Sequence, residues 1–144
     1  MLNVFFHYLD RKPLFTDKIK IRQFVQHIFK KEKVIIERID YIFCSDDYLL
    51  EINKKFLKQD YYTDVIAFNL SDSSAKLKGE IYISSDRIKE NAFDLKIKSK
   101  EEFLRVIIHG ALHLCGYTDK SKKEADLMRV LENKYLLLFK ATYK

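Results

Sequence analysis

The chain has 144 residues, 47% hydrophobic and 33% charged, with three glycines and one proline; this balance supports a folded core and excludes disordered, collagenous and low-complexity classes. Its net charge of +6 favours a polyanionic partner, nucleic acid ahead of a membrane surface, with lysines gathered around Lys31, Lys55, Lys98 and Lys122. Cys44 and Cys115 make no disulfide framework, Met1 to Leu9 lacks a basic leader, and no apolar run reaches membrane-spanning length, so one cytoplasmic domain over residues 1–144 is expected.

In chain order, Leu2 to Leu9 reads as a strand. Thr16 or Asp17 then caps a helix whose stripe Ile21, Phe24, Val25, Ile28 follows helical spacing. Glu37 to Cys44 alternates as a second strand, and Ser45-Asp46-Asp47 opens a helix with Leu49, Ile52 and Phe56 inward. Asp64 to Leu70 is a nearly continuous apolar run, as expected of a central strand. After a polar loop from Ser71 to Lys78, Gly79 to Ser84 forms a fourth strand. Ser84 or Ser85 caps a third helix carrying Ile88, Ala92 and Leu95. Ser99 with Glu102 reads as a capping box opening the apolar helix Phe103 to Leu114, and Ser121 with Glu124 as another. The last helix turns Ala125, Met128, Leu131, Tyr135 and Leu138 to the core. The order βαβαββααα predicts an α+β fold, a four-stranded, mostly parallel mixed sheet packed with about five helices.

Chemistry concentrates at His109-Gly110-Ala111-Leu112-His113 and the following Leu114 to Asp119. On a helix the two histidines share one face and can chelate one cation. Gly116 sits where a helix commonly ends in a left-handed residue, so the chain can reverse and bring Asp119 to the pair. Three protein ligands with an open fourth position is the arrangement of catalytic zinc, and one zinc per chain is expected on His109, His113 and Asp119. The spacing also matches metzincin-like proteases, but Gly110 stands where H-E-x-x-H enzymes place their general base. Tyr61 and Tyr62 precede a buried strand and read as packing residues, with base stacking as the alternative.

Together, H-G-x-L-H-L-x-G-Y at 109–117, the segment from Ile52-Asn53 through Asp60 to Phe68, and Gly79-Glu80-Ile81-Tyr82-Ile83-Ser84 resemble the YbeY family over almost the whole chain. The resemblance implies a zinc-dependent endoribonuclease that prefers single strands, acts in ribosomal RNA processing at the 3′ end of 16S rRNA and in ribosome quality control, and works with the small subunit. The family's metal histidines fall on His109 and His113, and its third falls on Asp119. Where many members carry a phosphate-directed arginine this chain has Leu57, so either Lys55 or Lys58 binds the RNA instead or nuclease activity is weak. No His or Glu beside the ligands marks a separate base, so the catalytic residues stay unassigned beyond the metal and its water. The alternatives are an RNA-binding ribosomal module with a structural zinc, and a metalloprotease.

Overall fold

The computed structural model describes residues 2–15, 17–73 and 75–143. Its elements are β1 (Val4–Tyr8), α1 (Lys18–Lys31), β2 (Ile36–Cys44), α2 (Asp46–Leu57), β3 (Val65–Asn69), β4 (Leu77–Ser84), α3 (Ser85–Leu95), α4 (Ser99–Leu114) and α5 (Lys122–Thr142). The strands form one sheet in the order β1-β2-β4-β3, with β3 antiparallel to β4 and the other pairs parallel. The α+β class and the order of elements are as the sequence predicts.

One face of the sheet carries Ile39, Tyr41, Phe43, Ile81 and Ile83 into the main core with α1, α4 and α5. There the Tyr41 hydroxyl donates to the Ile107 carbonyl at 2.7 Å, so its one polar atom is satisfied at full burial. The other face carries Cys44, Ile66, Phe68 and Tyr82 against Leu49 and Ile52 of α2. Each fully buried aliphatic or aromatic side chain here stabilises the fold by about 1.5–3 kcal/mol.

β3 is an edge strand, not the central strand expected from its apolar run. The run is apolar because both faces of β3 are covered: Val65 and Ala67 pack on the main core, Ile66 and Phe68 on the smaller one. β4 starts two residues earlier than expected, at Leu77. Ser99 is not a cap. Lys98 occupies the N-cap without a side-chain bond, the helix begins at Ser99, and Glu102 turns into the interior. Asp17 is the N-cap of α1 but gives its carboxylate to Lys100 at 2.6 Å; Thr16 lies outside the described residues. Phe56 and Leu95, expected inward, are 57% and 58% exposed, and Ala125 is exposed as well.

Two glycines set how deeply α4 sits on the sheet. A Cβ on Gly110 would lie 2.7 Å from Ile81 Cγ2, and one on Gly79 would lie 2.7 Å from Leu114 Cδ1 and 3.1 Å from the Phe68 carbonyl. A side chain at either position would therefore force these neighbours to shift. No helix among the described residues is long and apolar enough to cross a membrane.

Candidate metal centre

α4 ends in a Schellman motif. Tyr117 N–H donates to the Leu112 carbonyl at 3.1 Å, Gly116 N–H to the His113 carbonyl at 3.0 Å, and Gly116 takes φ +106°. The reversed chain is pinned again at Ser121, whose hydroxyl accepts from Glu124 N–H while Glu124 accepts from Ser121 N–H at 2.9 Å. Asp119 therefore hangs in a short loop held at both ends, facing the histidines one helical turn apart on α4.

The donors converge. His109 Nε2 and His113 Nε2 are 2.9 Å apart, and Asp119 Oδ2 lies 3.5 Å from the first and 3.7 Å from the second. Each ring is aimed by its other nitrogen: His109 Nδ1 is 2.6 Å from Glu132 Oε2, and His113 Nδ1 is 3.0 Å from the Tyr117 carbonyl. A carboxylate and a carbonyl only accept, so both Nδ1 atoms carry a proton, and in its neutral form each ring turns an Nε2 lone pair to the same point. Lone pairs and a carboxylate oxygen facing one another would repel, and a divalent cation between them would relieve that repulsion. Two imidazoles and a carboxylate, two of them oriented from behind, fit zinc chemistry.

The surroundings add negative charge. Burial works against a charged His109 ring, but the Glu132 hydrogen bond and the charges of Glu132, Asp64 and Asp119 outweigh it and raise its pKa above the ordinary histidine value. Burial and the neighbouring His109 lower that of His113. Burial raises the Asp64 carboxyl, and it also opposes ionisation of Glu132, whose pKa is nevertheless lowered by His109 and Arg105. Glu132 is 4% exposed, and Arg105 donates to its Oε1 at 3.3 Å.

The site opens on a cleft of about 650 Å³ between α4, the outer edge of β3 and the end of α2. Leu57, Tyr61 and Lys120 are on its wall, and Leu57 is 42% exposed. Tyr61 is an exposed residue of this wall and not the packing residue expected. Lys55 and Lys58 do not line the cleft. Lys55 Nζ lies over the Phe56 ring at 5.4 Å, and Lys58 is the left-handed C-cap of α2. The structure thus brings His109, His113 and Asp119 together and leaves both lysines on the exposed last turn beside Leu57.

Glu132 escaped the sequence reading, although a signal was present. The buried line of α5 runs Met128, Glu132, Tyr135, Leu136, Phe139, so an acid interrupts an apolar stripe at helical spacing. Asp64 had no comparable signal, because a carboxyl before a strand is commonplace.

A family model described as Endoribonuclease YbeY matches residues 10–140. The chain is 45% identical over 137 residues to a protein of Cytophaga hutchinsonii named Endoribonuclease YbeY, covering 95% of this chain and 96% of that one. It is 52% identical over 101 residues to one of the same name from Flavobacterium psychrophilum, covering 70% and 71%. Among solved structures it resembles the solution structure of TM1509 from Thermotoga maritima, with a TM-score of 0.63, 29% identity and coverage of 93% of this chain and 88% of that one.

Proposed function

Because the chain belongs to the YbeY family, we propose that it is a metal-dependent endoribonuclease that cuts single-stranded ribosomal RNA in the cytoplasm, with His109, His113 and Asp119 holding one zinc ion. The observation that carries this reading is the convergence of the two Nε2 lone pairs, 2.9 Å apart, with the Asp119 carboxylate beside them. A bound zinc would supply Lewis-acid polarisation of a phosphodiester and stabilise the charge that develops on it.

The residues do the rest. Glu132 and the Tyr117 carbonyl keep a proton on each Nδ1 and so keep each Nε2 free to coordinate. Lys120 on the cleft wall meets phosphates of a bound strand, and Lys55 on α2 with Lys58 at its C-cap meets those that extend past Leu57. Leu57 offers no charge where a guanidinium would reach. Small-subunit ribosomal RNA is the proposed substrate and the ribosome the proposed partner.

Proteolysis is disfavoured by Gly110. The protease glutamate would stand at that position, where glycine offers no proton acceptor and an added Cβ would already lie 2.7 Å from Ile81 Cγ2.

The test is cleavage of a single-stranded RNA carrying the 16S 3′ end by native protein whose metal content has been measured. We expect about one zinc per chain, cleavage abolished by chelator and restored by zinc, and loss of both metal and cleavage in His109→Ala and His113→Ala. RNA affinity should fall steeply with salt. Cleavage that survives either substitution, or casein hydrolysis in place of RNA hydrolysis, would overturn the reading.

A further inference from the structure

β3 is the last strand of the sheet, and its free side faces the cleft that holds the metal ligands. The Asp64 carbonyl accepts from Ser84 N–H at 3.0 Å and Leu70 N–H donates to the Lys78 carbonyl at 2.7 Å. In an antiparallel ladder alternate residues turn both backbone groups to the partner strand, so 64, 66, 68 and 70 face β4. Val65, Ala67 and Asn69 then turn their N–H and C=O groups outward, into the cleft.

We propose that this outer edge of β3 is a ledge that hydrogen-bonds the Watson–Crick edges of unpaired nucleobases, holding a single strand across the metal site; it rests on the nuclease reading for its ligand. Each outward residue presents a donor beside an acceptor. Every nucleobase carries the matching adjacent pair on its Watson–Crick edge: amino group and ring nitrogen in adenine and cytosine, carbonyl and ring N–H in guanine and uracil. The ledge therefore requires that a base be unpaired without requiring which base it is. Successive outward residues are about 6.8 Å apart along a strand, a step that an unstacked single strand can follow.

Two side chains in the same cleft agree. Asn53 is 1% exposed, its Nδ2 donates to the Tyr61 carbonyl at 2.9 Å, and its Oδ1 is left a buried acceptor without a partner among the described residues. Asn53 thus acts from beneath, fixing the Tyr61 backbone that forms the cleft wall. Tyr61, 55% exposed on the cleft wall, offers a flat ring on which a base stacks. An extended peptide also adds to free strand edges, but the nuclease reading of the metal site beside this one, with Lys120 on the same wall, selects a nucleic-acid strand.

The experiment measures binding to the native protein by fluorescence anisotropy, comparing an oligouridylate with an oligomer of 3-methyluridine of equal length. The phosphates are the same, but the methyl group blocks the ring N–H. Affinity should fall about tenfold on methylation, and a fully paired duplex of the same length should bind as poorly. Ala67→Pro removes one outward N–H while leaving the ladder to β4 intact, since edge strands accept proline where the N–H faces away. It should bind the unmodified strand about tenfold more weakly than Ala67→Gly and lose most of the discrimination against 3-methyluridine. Equal affinity of the native protein for the two oligomers overturns the ledge, and so does an unchanged Ala67→Pro variant. If Ala67→Pro fails to fold, the oligomer pair on native protein decides alone. Cleavage of RNA without discrimination between the oligomers would leave the nuclease standing and sink the ledge; discrimination without any cleavage would do the reverse.

Discussion

Glu132 reaches across from α5 to accept the Nδ1 proton of His109 at 2.6 Å, and Arg105 in turn holds Glu132 at 3.3 Å. A carboxylate behind a ligating imidazole fixes its tautomer and makes its free nitrogen more basic. Glu132→Gln keeps an acceptor but removes the charge, so metal affinity should fall about 10–100-fold while the fold persists. A competition titration with a metal chelator checks this; unaltered affinity would show that Glu132 serves only to neutralise Arg105.

The same substitution at two glycines should fail for different reasons. Gly110→Ala puts a methyl 2.7 Å from Ile81 Cγ2 and should cost about 1–3 kcal/mol by overpacking, despite alanine's better helix propensity. At Gly116 nothing lies within 4 Å of the added methyl, and the cost of about 1–2 kcal/mol comes from φ +106° alone. Thermal midpoints of both variants, with and without zinc, separate the two: Gly116→Ala should also weaken zinc binding, because the turn places Asp119.

Leu57 is 42% exposed on the cleft wall, so Leu57→Arg should leave the thermal midpoint within a few degrees of the parent. The added guanidinium should steepen the salt dependence of RNA binding by about one counterion and raise the cleavage rate, on the order of 10² if it contacts the transition state. A slope identical to that of the parent would place position 57 away from the bound phosphates.

Asp86 has its pKa lowered by the hydrogen bond from Arg11 at 2.8 Å and by the Asp46 N–H at 3.0 Å. A carboxyl depressed in the folded state stabilises fully above its unfolded value near 3.8 and loses that contribution as pH falls through the folded value. Asp86→Asn should therefore be about 1 kcal/mol less stable than the parent at pH 7, a figure reduced for its partial exposure, with the difference closing below the ordinary carboxylate range. Denaturant midpoints at neutral and acid pH check it.

What was legible in the sequence is what acts over short distances. Ser45, Ser84 and Ser121 cap helices as expected, Gly116 takes positive φ, and the spacing from His109 to Asp119 closes through one Schellman turn. Hydrophobic periodicity located every element but not which neighbour covers which face. β3 therefore read as central when it is an edge covered on both sides, and Phe56 read as buried when α2 ends in solvent. Glu132 belongs to the same class: its partner is twenty-three residues away, and only the packing of α5 on α4 makes the acid on its stripe meaningful.

The close seating of α4 on Gly79 and Gly110 divides the donor set by stiffness. His109 and His113 are referenced to the sheet through a helix seated closely on β4, whereas Asp119 is 43% exposed at its side chain and is carried by a loop. A chelate built on them would be hemilabile. Its two nitrogen arms would set how tightly a cation is held and its single oxygen arm how fast one is exchanged, so lengthening or stiffening residues 117–120 should change the rate of metal exchange well before it changes affinity.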